Sequence, residues 1–371
     1  MSEMYIIGLM SGTSLDGLDI AYCRFSQSAD AISYSILAAE TIPYPPSWVS
    51  RLASLHQASA YEYALADAEL GHYFGRCVAQ FRLRHPGRVD LVASHGHTIF
   101  HQPHLGLTTQ ISDPDAISAE CRLPVVARFR NLDVALGGQG APLVPIGDQL
   151  LFAHYDACLN LGGFSNISYA AQGRREAFDV SPCNMALNYL ASLQGQPFDR
   201  DGVIAQSGRV EASLLASMNA LDYYALPAPK SLGREWFEQQ FQPLIADASI
   251  PLPNRMSTTV EHVAHQVAAC CRQHALTSLM VTGGGARNSF LVSRIRALAP
   301  HTRVSVPDAL TIDYKEALIF ALLGYLRVRG SVNTLSSVTG AALDSVGGNL
   351  SGVVVRNSEF GDRSSEIIVP N

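Results

Sequence analysis

The stretch Tyr5–Tyr22, Y-I-I-G-L-M-S-G-T-S-L-D-G-L-D-I-A-Y, decides the fold. Two apolar runs flank a Gly/Ser turn, which predicts a β-hairpin. Its tip, Ser11–Gly17, contains two glycines, three hydroxyls and one carboxylate. Exposed N–H groups at such a tip can bind a phosphate, and the carboxylate can hold a hydrated Mg²⁺. A plain hairpin loop is the alternative, because Gly/Ser turns are common.

A second segment repeats this pattern. Cys158–Tyr169, C-L-N-L-G-G-F-S-N-I-S-Y, is again a strand, a glycine turn and a strand. The repetition predicts two related lobes that face each other across a cleft, with a ligand that meets both tips.

The surrounding periodicity predicts an α/β fold with most helices in the second half. A strand at Val89–Ala93 runs into S-H-G-H-T, and apolar residues at helical spacing predict a helix over Ser257–Cys271. The other predicted elements are strands at Tyr5–Leu9, Leu18–Phe25, Ile32–Ala39, Ala157–Leu161 and Ser165–Ala170, and helices at Trp48–Ser59 and Tyr61–Leu83.

A third glycine cluster, M-V-T-G-G-G-A-R-N, ends at Asn288. It follows a predicted strand, Ser278–Val281, and opens a predicted helix, Asn288–Ala299. Helix N-terminal N–H groups and the helix dipole attract anions, which favours a mononucleotide site. A tight turn between strand and helix is the alternative.

A carboxylate, Asp179, stands at the end of a predicted strand in A-F-D-V-S-P-C-N-M. Ser181 is predicted to be the N-cap of the next helix, with Pro182 at its first position. A general base is often held at such a switch from strand to helix. The alternative is that Asp179 only accepts hydrogen bonds at the helix start.

Other polar clusters are less specific. Four histidines, His95, His97, His101 and His104, suggest a polar cleft lining rather than zinc, because no nearby carboxylate completes a ligand set. Glu316 is either a cleft carboxylate or the far half of a capping box with Asp313 as N-cap. D-R-D-G at Asp199–Gly202 indicates a turn rather than a calcium loop.

Composition excludes several classes of protein. The 371 residues carry 26 basic and 32 acidic side chains, a net charge of −6, so no basic field attracts nucleic acid. The lysines, Lys230 and Lys315, lie outside any Walker A motif. Seven scattered cysteines favour a reducing compartment. The longest apolar stretch, Ala317–Leu326, is about half of the ~20 residues of a membrane span, so we expect a cytoplasmic protein without a membrane segment.

Seven motifs closely resemble the anhydro-N-acetylmuramic acid kinase family, in family order over most of the chain. They are G-L-M-S-G-T-S-L-D-G-L-D (Gly8–Asp19), H-G-H-T (His95–Thr98), F-R-N-L-D-V-A-L-G-G-Q-G-A-P-L-V-P (Phe129–Pro145), N-L-G-G-F-S-N-I-S (Asn160–Ser168), F-D-R-D-G (Phe198–Gly202), P-K-S-L-G-R-E (residues 229–235) and V-T-G-G-G-A-R-N (Val281–Asn288).

The resemblance implies a two-lobed actin-like (ribonuclease H-like) sugar kinase fold, with an ATP cleft between the lobes. The expected N-terminal lobe is residues 1–130 and the C-terminal lobe is residues 131–371, with the tail 330–371 packing back on the first lobe. The family converts 1,6-anhydro-N-acetylmuramic acid, ATP and water into N-acetylmuramic acid 6-phosphate and ADP. It acts in cytoplasmic cell-wall recycling, uses Mg²⁺ and forms homodimers.

The resemblance also assigns roles to residues. Asp179 matches the catalytic aspartate, which acts on water, and Asp16 is expected to hold the metal through water. The positions expected to bind ATP are Gly12, Thr13, Ser14, Leu15, Asp16, Gly17, Leu18, Asp19, Gly162, Gly163, Ser165, Gly283, Gly284 and Gly285. The positions expected to contact or surround the sugar are His97, Thr98, Arg130, Asp133 and Glu316.

We expect Arg130 to bind the lactyl carboxylate of the sugar with two hydrogen bonds.

The chain departs from the family pattern at four positions. Ser181 and Cys183 replace glycines, His97 replaces a common glutamine, and Arg128 replaces a common aspartate. A Cys183 thiol at a helix N-terminus is expected either to crowd a phosphate or, if exposed, to become more acidic. Two alternative functions remain: an ordinary hexose or amino-sugar kinase of the same fold, and a non-catalytic ATP-binding protein of actin type.

Overall fold

The computed structural model describes residues 3–28, 31–228 and 230–352. These described residues form two compact units, the first made of the part up to residue 151 with residues 316–352, and the second lying between residues 152 and 315. Each unit is built around one β-sheet with helices, so the predicted α/β class is confirmed.

The first segment of the first unit begins with three antiparallel strands. Its strands are β1 (Met4–Ser11), β2 (Gly17–Gln27), β3 (Ile32–Pro43), β4 (Leu91–Gln102), β5 (Leu107–Ile111) and β6 (Val125–Ala127). Its helices are α1 (Pro46–Ser54), α2 (Ala60–Arg84), α3 (Pro114–Cys121), α4 (Asn131–Ala135) and α5 (Val144–Leu151).

The second unit repeats the meander and then becomes mostly helical. Its strands are β7 (Ala157–Leu161), β8 (Phe164–Ala171), β9 (Arg174–Pro182), β10 (Ser278–Thr282) and β11 (Arg303–Ser305). Its helices are α6 (Asn184–Ser192), α7 (Val203–Ser207), α8 (Ala212–Asn219), α9 (Arg234–Trp236), α10 (Gln242–Ile245), α11 (Leu252–Gln273) and α12 (Ser289–Leu298).

The chain then returns to the first unit. The remaining elements are α13 (Ala309–Val328), which includes the boundary between residues 315 and 316, α14 (Ser336–Thr339) and β12 (Asn349–Ser351). Short 3-10 helices lie at Leu55–Gln57, Pro103–Leu105, Arg200–Gly202, Asp222–Ala225 and Gly284–Arg287, and a π-helical turn lies at Phe237–Phe241.

The two sheets share the topology of a five-stranded core, to which β5 and β12 are added in the first sheet. The first has the order β12-β6-β4-β1-β2-β3, with β5 beside β4, and the second has the order β11-β10-β7-β8-β9. In both, the first three strands are antiparallel and the next pairs in parallel with the first. The predicted pair of related hairpins is therefore confirmed.

Helix α13 packs directly on β1. A Cβ on Gly8 would collide with the backbone carbonyl of Ala317, so only glycine allows this approach. The other face of the sheet buries Ile7, Leu9 and Phe74, the last of these from α2. Because both faces are covered, β1 and β2 are long apolar strands rather than alternating ones.

Helix bounds follow from local capping. The side chain of Ser59 accepts a hydrogen bond from the Glu62 N–H, and Glu62 accepts one from the Ser59 N–H, so α2 begins at Ala60. The predicted helix Trp48–Ser59 is shorter in the structure and ends at Ser54, before a 3-10 turn.

The unit boundary differs from the expected one at residue 130. Residues 131–151 belong to the first unit, where the Asp133 carboxylate accepts a hydrogen bond from Thr339 Oγ1 at 2.6 Å. In the tail, β12 pairs antiparallel with β6. The remaining part of the tail, residues 353–371, lies outside the described residues. Among the helices that the structure describes, none has the length and apolar character needed to cross a membrane.

Candidate active site

The carboxyl ends of β7 and β10 lie side by side in the second unit. The two strands run parallel, with Thr282 opposite Asn160. The turn Gly162–Gly163 follows β7, and Gly283–Gly285 follows β10. Gly283 has a φ of +81°, and a Cβ there would lie 3.0 Å from the Leu161 carbonyl carbon, so only glycine fits. Ligands of open α/β sheets bind at this edge.

Both turns offer backbone donors. Among the described residues, no group accepts a hydrogen bond from the N–H groups of Gly162, Gly163 or Gly284. Gly163 and Gly284 are also exposed. Unpaired N–H groups at a turn form an anion-binding concavity. The structure thus brings together two of the three predicted glycine sites.

The N-terminus of α6 is already occupied. The Gly163 carbonyl accepts hydrogen bonds from the N–H groups of Cys183 at 2.9 Å and Met185 at 3.1 Å, and the Gly162 carbonyl accepts one from Asn184 at 3.0 Å. The prediction of Ser181 as N-cap and Pro182 as first helical residue is wrong, because β9 continues through Pro182. The available donors therefore belong to the glycine turn, not to the helix.

Asp179 lies in β9, paired with Asn166 of β8. Its Oδ2 accepts a hydrogen bond from the Leu232 N–H at 2.8 Å. Among the described residues, no group donates a hydrogen bond to its Oδ1. Burial raises the pKa of Asp179, and the Leu232 N–H lowers it in part. The carboxylate is half-buried, held at one oxygen and free at the other, which suits a base.

A β-bulge fixes the strand around Asp179. Ser165 pairs with Ser181 and Asn166 with Asp179, so Val180 is an extra residue in β9. The Ser165 hydroxyl accepts a hydrogen bond from the Ser181 N–H at 3.1 Å and lies 3.0 Å from the Ser181 carbonyl oxygen. Ser165 is fully buried. Its hydroxyl therefore holds the bulge and is not exposed to a nucleotide, contrary to the expected ATP contact.

Three residues near Asp179 had no predicted role. Besides Leu232, Tyr223 donates a hydrogen bond from its hydroxyl to the Asp179 carbonyl oxygen at 2.5 Å. The Lys230 carbonyl accepts one from the Asp179 N–H at 3.2 Å, and the Lys230 ammonium lies 4.6 Å from the Tyr223 ring centroid. The only signal in the sequence was the motif P-K-S-L-G-R-E, whose first residue, Pro229, lies outside the described residues.

The first hairpin has an open tip. Thr13, Ser14 and Asp16 are exposed. The Leu15 N–H donates to the Gly12 carbonyl at 3.3 Å, whereas in the described part of the chain the N–H groups of Gly12, Thr13 and Ser14 have no acceptor. This tip is an anion-binding candidate within the first unit.

The last residues of the predicted ATP loop are part of the first sheet. Gly17 and Leu18 pair with β3, and the Leu18 side chain is completely buried. Asp19 accepts a hydrogen bond from Thr41 Oγ1 at 2.6 Å. The Leu18 side chain therefore packs in the core and cannot contact a nucleotide in this conformation.

His97 and Thr98 are neighbours in β4. His97 Nδ1 lies 2.8 Å from the Ser11 hydroxyl, which lies 2.6 Å from the Tyr44 hydroxyl. Burial lowers the pKa of His97 to about 4, so the ring is neutral near pH 7. Thr98 is half-buried opposite Gln110 of β5.

Arg130 is held by two partners. Its Nε and Nη2 lie 3.1 and 2.9 Å from His95 Nε2, and its Nη1 donates to the Gly140 carbonyl at 2.7 Å. Burial lowers the pKa of Arg130 to about 10, and the negative charge of Glu316 opposes this change. One edge of the guanidinium therefore faces His95, and Glu316 lies near enough to act on its charge.

Asp133 supports this arrangement from the interior. It is completely buried, and its Oδ2 accepts a hydrogen bond from the Gly140 N–H at 2.7 Å. Asp133 therefore belongs to the surroundings of Arg130, and its carboxylate cannot contact a sugar in this conformation.

The starts of α13 and α12 have side-chain caps. Asp313 lies inside α13 and forms an ion pair with Arg287, while Asp308 accepts the Thr311 N–H at 3.0 Å, so the capping box with Glu316 is wrong. The first turn of α12 is also occupied, because Asn288 Oδ1 accepts the Leu291 N–H at 3.0 Å.

The D-R-D-G segment is a turn, as predicted. Asp199 accepts hydrogen bonds from the N–H groups of Ile204 at 2.9 Å and Ala205 at 3.0 Å. Asp201 accepts one from the Ser289 N–H at 2.9 Å. Both carboxylates therefore stabilise helix starts.

Cys183 is not an acidic thiol. It is completely buried, and burial raises its pKa to about 12. The acidic alternative was expected only for an exposed thiol, so it does not apply to Cys183.

No group of three metal-ligating side chains occurs in residues 3–28, 31–228 and 230–352. Asp16 is exposed, and within these ranges no residue contacts its carboxylate. A single free carboxylate fits Mg²⁺, which keeps several waters and binds through one or two carboxylates plus substrate phosphates.

The sequence comparisons agree with one another. The family model for anhydro-N-acetylmuramic acid kinase matches residues 4–351. The enzyme of that name from Shewanella loihica is 36% identical, covering 94% of this chain and 99% of the relative. The one from Streptomyces coelicolor is 37% identical, covering 94% and 93%.

A solved structure of a ROK family glucokinase from Streptomyces griseus, in complex with glucose and AMPPNP, is 13% identical, covering 86% of this chain and 98% of that chain with a TM-score of 0.40. That score is too low to support an argument, so the assignment depends on the sequence matches. With the family model spanning nearly all of the sequence and relatives above 30% identity over more than nine-tenths of their length, the chain belongs to the anhydro-N-acetylmuramic acid kinase family.

Proposed function

We propose that this chain uses ATP and water to convert 1,6-anhydro-N-acetylmuramic acid into N-acetylmuramic acid 6-phosphate and ADP. The single observation that carries the proposal is family membership over residues 4–351, a range that includes Asp179 and all three glycine turns.

The substrate dictates the chemistry. In the anhydro sugar O6 is tied to C1, so there is no O6 hydroxyl to deprotonate. Water attacks C1, the C1–O6 bond breaks, and O6 receives the γ-phosphoryl group as ADP leaves. The oxygen of water stays on C1, and one of its protons goes to a base.

Asp179 is the proposed base. The Leu232 N–H fixes Oδ2, which leaves Oδ1 to accept the proton of water. Burial raises the pKa of this carboxyl, which makes its ionised form a stronger base than an exposed aspartate. Tyr223 and the backbone of Lys230 hold the Asp179 main chain, so the carboxylate keeps its direction.

The glycine turns are the proposed phosphate and nucleoside contacts. In the first unit, the N–H groups of Gly12–Ser14 would bind phosphate oxygens, supported by Leu15 and Asp16 in the same turn and by Gly17–Asp19 at the start of β2. In the second unit, Gly162 and Gly163 would bind phosphate and Gly283–Gly285 would lie along the nucleoside. Ser165 supports this hairpin from inside.

Mg²⁺ is the proposed metal, with Asp16 holding it through water. When bound, the ion neutralises charge on the phosphates. The exposed, uncontacted Asp16 carboxylate supports this role.

The proposed sugar contacts are His97, Thr98, Arg130 and Glu316, with Asp133 behind them. Since His95 faces the Nε–Nη2 edge of Arg130, the lactyl carboxylate would bind through the remaining Nη hydrogens. If Arg130→Ala left the affinity for the muramic sugar unchanged relative to a sugar without the lactyl group, this assignment would be wrong.

We further propose that the enzyme works as a cytoplasmic homodimer in peptidoglycan recycling, as the family resemblance implies. Its proposed partners are the sugar and ATP, without nucleic acid or membrane.

The test compares two substrates. Purified protein, ATP and Mg²⁺ are incubated with 1,6-anhydro-N-acetylmuramic acid or with free N-acetylmuramic acid, and ADP and sugar phosphate are measured. We expect turnover of the anhydro sugar and little of the free sugar. Faster turnover of the free sugar would indicate an ordinary amino-sugar kinase, and ATP binding without turnover of either would indicate a non-catalytic protein.

A further inference from the structure

A buried chain of three polar side chains lies at the base of the first hairpin. Ser11 ends β1 and pairs with His97 of β4, while Tyr44 directly follows β3. The Ser11 hydroxyl lies 2.6 Å from the Tyr44 hydroxyl and 2.8 Å from His97 Nδ1. The exposed fractions are 1% for Ser11, 3% for His97 and 6% for Tyr44.

Tyr44 also touches the other side of this hairpin. Its backbone N–H donates to the Asp16 carbonyl at 3.4 Å. One residue thus contacts the hairpin through its main chain near the tip and through its hydroxyl at the base. The side chain of His97 is consequently connected to the hairpin through Ser11.

The protons in this chain can be counted. Each hydroxyl has one hydrogen to donate, and among the described residues the Tyr44 hydroxyl has one hydrogen-bond partner, Ser11 Oγ. A buried donor without an acceptor is rare in native proteins, so Tyr44 donates to Ser11. The Ser11 hydrogen is then left to donate to His97 Nδ1, its other partner.

Reversing the direction of these hydrogen bonds would leave one hydroxyl hydrogen without an acceptor. If His97 Nδ1 carried the hydrogen and donated to Ser11, then Ser11 would donate to Tyr44. The Tyr44 hydrogen would have no acceptor among the described residues. The first direction pairs every buried donor, and it places the ring hydrogen of neutral His97 on Nε2.

We propose that Tyr44 and Ser11 are positioning residues that fix His97 as the Nε2–H tautomer, so that His97 presents a neutral hydrogen-bond donor to an acceptor oxygen of the sugar. The sugar part of this inference rests on the proposed function. Within the described residues, Nε2 has no hydrogen-bond partner of its own.

The donor defines the chemistry that it recognises. A neutral imidazole N–H pairs with an oxygen that only accepts, such as an ether, an acetyl carbonyl or a carboxylate oxygen. It adds no positive charge at neutral pH, because burial lowers the pKa of His97 to about 4. His97 therefore supplies direction, and Arg130 supplies charge.

The first experiment measures the tautomer without any ligand or activity. The full chain is labelled with ¹⁵N-histidine, and long-range ¹H–¹⁵N spectra at pH 7 report which ring nitrogen of each histidine carries the hydrogen. The His97 signals are assigned by their loss in His97→Gln. We expect protonated Nε2 and unprotonated Nδ1 for His97, and a mixture of tautomers in Tyr44→Phe and in Ser11→Ala.

A matched control is available next to Tyr44. The ring centroids of Tyr73 and Tyr44 lie 6.1 Å apart, but among the described residues Tyr73 makes no hydrogen bond to Ser11 or His97. Tyr73→Phe removes the same hydroxyl from the same aromatic cluster. It should leave the His97 tautomer and the sugar kinetics unchanged.

The second experiment measures steady-state kinetics with 1,6-anhydro-N-acetylmuramic acid. Tyr44→Phe should raise KM for the sugar about threefold to tenfold, which corresponds to the loss of one hydrogen bond. The decrease in kcat should be smaller than the increase in KM. His97→Ala should raise it at least as much, and His97→Gln, which keeps an N–H donor, should restore most of the loss.

The outcomes are separable. Protonated Nδ1 on His97, or an unchanged tautomer in Tyr44→Phe and Ser11→Ala, overturns the proton assignment whatever the enzyme does. The expected tautomer with sugar KM values unaffected by Tyr44→Phe and His97→Ala overturns the donor role toward the sugar. Absence of turnover in the unmodified protein counts against the proposed function and leaves the spectroscopic result to stand by itself.

Discussion

The hairpin at residues 11–17 and the hairpin at residues 161–165 occupy the same place in the five-stranded core that the two sheets share, but different contacts hold them. The first has an exposed tip with hydroxyls and one free carboxylate. The second uses its glycine carbonyls to hold the start of α6 and buries its serine in a bulge beside Asp179. A shared strand–turn–strand pattern therefore forms an open tip, the proposed anion site, in one unit and holds a carboxylate, the proposed base, in the other.

The largest expected effect separates the two carboxylates. Asp179→Asn should lower kcat by at least about 100-fold, because a positioned general base contributes 10²–10⁴-fold. Asparagine keeps an oxygen for the Leu232 N–H, so ATP binding by calorimetry should be unchanged. The matched variant Asp16→Asn should lower kcat by about tenfold at most, mainly because a higher Mg²⁺ concentration would be needed. Similar losses of kcat in both variants would contradict different roles for the two carboxylates.

The pH dependence of kcat/KM follows from Asp179. The base works only when ionised, and burial raises its pKa, so activity should fall about tenfold per pH unit below a midpoint higher than the ordinary ~3.9 of aspartate. Because the folded state binds this proton more tightly, the group's contribution to stability falls as pH rises from the ordinary value through the raised one. If kcat/KM of Asp179→Asn still falls at low pH in the same way, a group other than Asp179 causes the fall.

Two glycine substitutions test the anion sites directly. A Cβ on Gly163 would lie no closer than 3.9 Å to Met185, and one on Gly12 no closer than 3.4 Å to Ser14, so the fold has room for both. Each alanine variant should keep its melting temperature and raise KM for ATP about tenfold, because the added methyl group hinders a phosphate oxygen from reaching the backbone N–H, an effect comparable to one lost charge-assisted hydrogen bond. An unchanged KM in either variant would exclude that hairpin as a phosphate contact.

Sequence reasoning located both hairpins because their glycine turns and flanking apolar runs are local signals. It missed what tertiary pairing decides. Ser165 stands beside two glycines and is an expected ATP contact, yet the bulge buries it, and β9 continues through Pro182, the residue predicted to begin a helix. Asp133 resembled a cleft acid, but a partner some two hundred positions away, Thr339, takes one of its oxygens.

The contacts of Asp179 could not be predicted either. Leu232 and Lys230 act through backbone groups, which no side-chain pattern reveals.

The smallest effect compares the two serines. Ser165→Ala leaves the buried Ser181 N–H without its acceptor, which should lower the free energy of unfolding by about 1–3 kcal/mol. Ser14 is exposed, so Ser14→Ala should stay within about 0.5 kcal/mol of the unmodified protein. Urea denaturation measures both, and equal stabilities would refute the structural role of Ser165.

The central claim is that water, activated by Asp179, opens the sugar while O6 is phosphorylated. The reaction is run briefly in ¹⁸O-water with 1,6-anhydro-N-acetylmuramic acid and ATP, and the sugar phosphate is analysed by mass spectrometry. N-acetylmuramic acid 6-phosphate kept in the same water for the same time corrects for exchange at C1. We expect one solvent oxygen at C1 in excess of this control, and a phosphorylated product without it would contradict the account.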